Sequence, residues 1–167
     1  MKRAAAHLGL AMLVGLGLGA ASACEVTQGY DAPTASGDSD DWAMHVQPYV
    51  ARRCATLDCH GDPGRPLRIY STEGLRDGED RAAPLTASEL DENVLAALGV
   101  SPFGDAATHA LILVPLAPSS GGWHHVGGDI WASRDDPGYQ CLSRWLAGAD
   151  SAASCATAAA NVPRGLP

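Results

Sequence analysis

Apolar and polar positions divide the chain into stretches of different texture. Between Leu8 and Ala20 nearly every residue is apolar or Gly, behind a positive start at Lys2 and Arg3. From Asp31 to Asp41 the side chains are small, polar and acidic. That stretch cannot bury enough apolar surface to offset the entropy of ordering, so it reads as a disordered tether. Helical spacing sets in at Trp42, where Trp42, Val46, Tyr49 and Val50 share one face. Pro48 inside that run either starts the helix or kinks it, and the turn from Pro48 to Arg53 is the part most firmly expected to be helical. A long irregular stretch follows through Gly61, Pro63, Gly64, Pro66, Gly74 and Gly78, with Leu67, Ile69 and Leu75 as its expected core contacts.

The second half is punctuated more sharply. Thr86-Ala87-Ser88-Glu89 is a capping-box pattern opening a helix that carries Leu90, Val94, Leu95 and Leu98 and stops at Gly99. Leu111 to Val114 form a short buried run ended by Pro115, extended or helical. Asp136-Pro137 supplies an N-cap and a first-turn proline for a last helix bearing Tyr139, Leu142, Trp145 and Leu146 before Gly148. No repeat is visible. The fold class is mostly α, with short helices joined by Gly/Pro-rich loops.

The first apolar stretch is too short to span a bilayer, which takes about 20 residues, and it has the length of a signal-peptide core. Gly9, Gly15, Gly17 and Gly19 argue against a buried helix there. Ala21-Ser22-Ala23 then presents the small residues of a cleavage site directly before Cys24. Ala20 to Cys24 resembles a bacterial lipobox, with Ala21 where that motif prefers Leu; cleavage by the ordinary signal peptidase is the alternative. The expected layout is a signal peptide over 1–23, a lipid-anchored linker over 24–41 and one domain over 42–167, facing the periplasm or held on the outer membrane.

Composition narrows the function classes. Eleven Lys plus Arg against 19 Asp plus Glu give a formal charge of −8. A nucleic-acid binder needs clustered positive charge, so that class is disfavoured, and contact with membrane is expected through the N-terminal lipid only. Five cysteines are an odd number, which leaves one without a thiol partner and suits acylation of Cys24. No Ser/His/Asp order, phosphate loop or carboxylate pair supports a hydrolase, and Asp135-Asp136 reads as a helix start rather than a calcium site.

The chemistry concentrates in Cys54-Ala55-Thr56-Leu57-Asp58-Cys59-His60. Two thiols followed at once by His is the order of c-type haem attachment, in which each thiol adds to one vinyl group and the His becomes the proximal iron ligand. Four residues separate the cysteines here, whereas two are usual. A Cys54–Cys59 disulfide closing a tight turn is a second possibility, and a zinc site a third, less suited to an oxidising compartment.

Val46 to Cys54, running on to Cys59-His60-Gly61, resembles the N-terminal helix and haem site of small exported cytochrome c domains. Leu111 to Leu116, His125-Val126-Gly127-Gly128-Asp129-Ile130-Trp131 and Asp136-Pro137-Gly138-Tyr139 with Trp145 are similar to the later half of cytochrome-c-like domains in secreted and lipid-anchored proteins of myxobacteria and planctomycetes. The resemblance covers roughly residues 46–149. It implies a small class I cytochrome c-like fold with first and last helices packed across each other, a covalent haem c on Cys54 and Cys59, proximal His60, and electron transfer to a partner protein rather than catalysis. A haem-free, disulfide-stapled envelope interaction domain of the same fold is the alternative.

The usual distal Met is missing from the later chain, since Met44 is the only Met beyond the leader. His45, His109, His124 and His125 are available instead, and His125, on a Gly-rich loop that can approach a flat ring, is the expected distal ligand. Arg65, Arg68 and Arg76 either pair with haem propionates or solvate a loop. Trp123 and Trp131 either cover a haem edge or belong to the core. Cys141 and Cys155 are expected to form a structural disulfide after export. Acylation has its own test: Cys24→Ala is expected to move the protein from the detergent phase to the aqueous phase on Triton X-114 partition, and an unchanged distribution would refute the anchor.

Overall fold

The computed structural model describes residues 35–101 and 105–163. The expected signal peptide, Cys24 and the expected linker as far as residue 34 lie outside the described residues. The expected stripe at Trp42, Val46, Tyr49 and Val50 is buried. It lies on a continuous helical run made of α1 (Ser39–Asp41), a π-helical turn (Trp42–Val46) and α2 (Gln47–Arg53). The helix therefore does not wait for Pro48. A proline has no N–H to return to the preceding turn, and the widened π turn, with Gln47 N–H donating to the Trp42 carbonyl, lies just ahead of it.

Residues 36–41 depart from the linker reading. Ser36 N–H donates to the Leu146 carbonyl at 3.0 Å, and Trp145 Nε1 donates to the Asp38 carbonyl at 2.9 Å. Asp38 also caps α1, so an acidic segment with no apolar face is fixed through its polar groups.

Helix α3 (Ala87–Gly99) carries the predicted capping box, with Thr86 Oγ1 accepting from Glu89 N–H and Glu89 Oε2 accepting from Thr86 N–H. Its inward face is Asn93, Val94 and Ala97, whereas Leu95 is 69% exposed. Asn93 sets that rotation. Its amide bonds Gln47 Oε1 and the Tyr70 carbonyl, both at 2.9 Å, while its Oδ1 accepts from Tyr70 N–H at 2.6 Å. Leu111 to Leu113 are buried in the single turn α4 (Ala110–Leu113). Asp136 and Pro137 open α5 (Pro137–Leu146) as expected, burying Tyr139, Leu142, Trp145 and Leu146.

The tail after Gly148 is a helix in its own right, α6 (Ala152–Asn161), consistent with the high helix propensity of its alanines. It packs on α5 and α2 and is bridged to α5 by Cys141–Cys155. Trp42 meets Trp145 edge to face at 4.7 Å between ring centres, joining the first helical run to α5. The described residues contain no named strand, only isolated bridges at Tyr70–Leu75 and Leu116–Trp131. The protein is thus mostly helical with long irregular connections. No described helix is long and apolar enough to cross a membrane.

One ion pair is buried. Arg76 Nε donates to Glu89 Oε1 at 2.8 Å, and the same guanidinium donates to the Arg81 and Ala83 carbonyls. Arg76 is therefore committed to the fold and is removed from the propionate candidates. The bond from Arg76 holds the Glu89 carboxyl down from the ordinary 4.5 to about 2.

Between those values the folded state binds fewer protons than the unfolded chain. The stability that ionised Glu89 contributes is therefore complete above about 4.5 and drains as pH falls towards 2. Urea melts across that window should show this loss, and Glu89→Gln should flatten it while lowering stability at neutral pH, because Arg76 is then buried unpaired. Cys141→Ala with Cys155→Ala should cost about 3 kcal/mol, the value for a closed loop of about 15 residues, read from denaturant midpoints.

Candidate functional site

The end of α2 delivers the cysteine–histidine segment. Cys54 N–H still bonds the Val50 carbonyl at 2.9 Å, after which the chain turns so that His60 N–H donates to the Cys54 carbonyl at 2.8 Å. The four-residue spacer is thus folded into a compact loop. Gly61 makes that loop possible: a Cβ there would stand 2.2 Å from the Ala55 carbonyl oxygen. Ser71 Oγ donates to the same carbonyl at 2.6 Å and ties the loop to the segment that follows.

His60 Nδ1 donates to the Leu67 carbonyl at 3.0 Å, which fixes the tautomer and leaves Nε2 unprotonated with its lone pair free. Burial lowers the His60 pKa; the Leu67 bond opposes this, and nearby His125 and Arg65 add to the lowering. A neutral imidazole is the form that binds a metal. His125 repeats the arrangement, its Nδ1 donating to the Gly128 carbonyl at 2.8 Å.

The two imidazoles line one cleft of about 610 Å³, inside the range of roughly 300–1,000 Å³ usual for cofactor sites. Their ring centres are 6.2 Å apart with planes at 34°. An iron ion bonded to one nitrogen of each at about 2 Å would set the centres roughly 6 Å apart, so the observed separation suits two rings sharing one iron. The walls are carbon. Trp42 and Val50 come from the first helical run, Leu67 and Ile69 from the irregular segment, Leu111 and Val114 from around α4, and Trp131 and Leu142 from beyond.

Cys54 lies on the wall of this cleft, and burial pushes its thiol up to about 12. Cys59 is exposed, and both are free thiols. The two sulfurs are not bridged in the structure. The described residues contain no group of three or more His, Cys, Asp or Glu placed to hold a metal ion by themselves.

The other histidines go elsewhere. His109 is fully buried and caps α4, its Nδ1 accepting from Leu111 N–H, and it does not line the cleft. His124 is exposed and Met44 is 63% exposed, neither lining the cleft. Trp131 is core and cleft wall at once, with Nε1 donating to Tyr49 Oη at 2.8 Å, whereas Trp123 is 48% exposed and off the cleft. The carbonyls of Leu67 and Gly128 are site residues that sequence reading misses, because a main-chain acceptor has no residue-type signature. No protein-family model matches the chain, nor does any curated protein or solved structure.

Proposed function

We propose that this chain is an exported, lipid-anchored electron carrier of the cell envelope, holding a c-type haem in the cleft between His60 and His125 within a class I cytochrome c-like fold. The observation that carries the reading is the pair of imidazoles, each pinned through Nδ1 to a main-chain carbonyl, with ring centres 6.2 Å apart in a carbon-lined cleft whose wall includes Cys54. The group supplies a one-electron iron couple when bound.

Everything else falls to the protein. Cys54 and Cys59 would each add sulfur to one vinyl carbon and hydrogen to its neighbour, with no net oxidation. His60, oriented by Leu67, and His125, oriented by Gly128, would hold the iron through their free nitrogens, and two His ligands would give a lower potential than His with Met. The carbon walls would lower the local dielectric around the group and so favour its less charged iron state. The acidic surface suits a redox partner with a basic face. The lipid at Cys24 would keep the carrier at the membrane, facing the periplasm or on the outer membrane.

Expression of the full chain in a host with the c-type maturation machinery should give a pyridine haemochrome spectrum and a mass increased by one haem that survives denaturing electrophoresis. Cys54→Ala with Cys59→Ala should abolish that covalent increment. A colourless product without the added mass would leave the haem-free interaction domain.

A further inference from the structure

The two imidazoles are held by different means. His60 is tied into the body on three sides: its N–H bonds the Cys54 carbonyl, its carbonyl accepts from Ile69 N–H at 2.8 Å, and its ring bonds Leu67. His125 bonds only its own turn. Its ring donates to Gly128 O, and Gly128 N–H donates back to the His125 carbonyl at 2.9 Å. Among the described residues, bonds from this loop to the body stop at Trp123 N–H, on the Leu113 carbonyl, and resume at Ile130 N–H, on the Pro115 carbonyl. Val126 at the tip is 93% exposed. The turn can therefore swing as a unit about its two anchors without breaking an internal bond, whereas His60 cannot move without unpicking the core.

The cleft under the turn has a definite chemistry. The indole N–H groups of Trp42 and Trp131 on its wall are already given to Gln47 and Tyr49. Once His125 swings out, and with the Cys54 sulfur taken up by the thioether bond, no side-chain hydrogen-bond donor beyond His60 itself remains among the named wall residues. Distal polarity and donors decide which ligands a haem iron keeps. A donor-free apolar space favours an uncharged diatomic molecule over an anion, which would be desolvated there without compensation.

We infer that His125 is a removable ligand carried on a hinged turn, and that the space it vacates binds a small uncharged gas of the carbon monoxide type, so that the site is a ligand receptor as well as an electron carrier. The inference rests on the haem reading above. It gives the protein a second response, in which gas binding displaces His125 and moves the exposed turn.

The test uses the full-length matured protein, reduced with dithionite and mixed with carbon monoxide. The expected result is a shifted Soret band whose rate of appearance reaches a plateau as gas concentration rises, because departure of His125 becomes limiting. His125→Ala should remove the plateau and give a rate linear in gas. Azide at matched concentration should leave the oxidised wild-type Soret band unchanged.

A haem protein that ignores carbon monoxide while His125→Ala binds it overturns the removable ligand. Wild-type kinetics linear in gas and equal to those of His125→Ala show that His125 is no ligand, and azide shifting the band as readily as gas overturns the selectivity. A protein lacking haem overturns the underlying reading, and is recognised before any gas is added.

Discussion

The cleft depends on an irregular segment, residues 54–86, that is held in one conformation with no helix or sheet of its own. Buried main-chain groups left without partners cost about 1–3 kcal/mol each, so such a segment keeps its shape only where every turn finds a donor or acceptor. Tyr70 is the fixed point. Its N–H bonds Asn93 Oδ1, and its carbonyl accepts from both Asn93 and Gln47. Gln47 in turn takes the Trp42 indole N–H at 2.7 Å. This fully paired cluster links α2, α3 and the segment. With Tyr70 held, Ile69 N–H reaches the His60 carbonyl and the Leu67 carbonyl reaches the His60 ring. A side-chain amide on α3 thereby sets the tautomer of a histidine it does not touch.

The aromatic economy of the chain serves the same end. Three of the four tryptophans are buried, and each spends its single N–H on a different part of the fold: Trp42 on Gln47, Trp131 on Tyr49 and Trp145 on the Asp38 carbonyl. A buried indole needs such a partner. The large ring volumes fill the core, and the polar handles join elements far apart in sequence. One consequence lies at the cleft, where Trp42 and Trp131 present only carbon. The space between the histidines is apolar because the donors around it are committed behind its walls.

What could be read from the sequence was local. The Thr86–Glu89 box, the Asp136-Pro137 start and the stripes at Trp42–Val50 and Tyr139–Leu146 are patterns a few residues long, and they stand in the structure as expected. The Cys141–Cys155 bridge followed from counting thiols in a chain expected to be exported. Contacts across the chain could not be read in this way. Leu95 faces outward because Asn93 must face Gln47, and Arg76 is buried against Glu89 because neighbouring carbonyls converge on it. Residues 36–41 looked unable to fold, yet they are pinned by Trp145 and Leu146, more than a hundred positions later. Of the candidate site, Cys54, His60 and His125 do meet at one cleft, whereas His109 and Arg76, plausible by residue type, serve a helix cap and an ion pair.

The asymmetry of the two histidines also follows from what holds each one. His60 inherits the rigidity of the tertiary network, since its main chain bonds the Cys54 carbonyl and the Ile69 N–H and its ring bonds the Leu67 carbonyl. His125 has the rigidity of a single turn: a Cβ at Gly127 would stand 2.9 Å from the ring, and the Gly128 carbonyl completes the clamp. A site that only passed electrons would be best served by fixing both rings, because movement of a ligand as the iron changes charge adds reorganisation that a preorganised site avoids. The chain fixes one ring to its core and the other to an exposed turn of two glycines. That division sets which imidazole belongs to the protein body and which belongs to the turn.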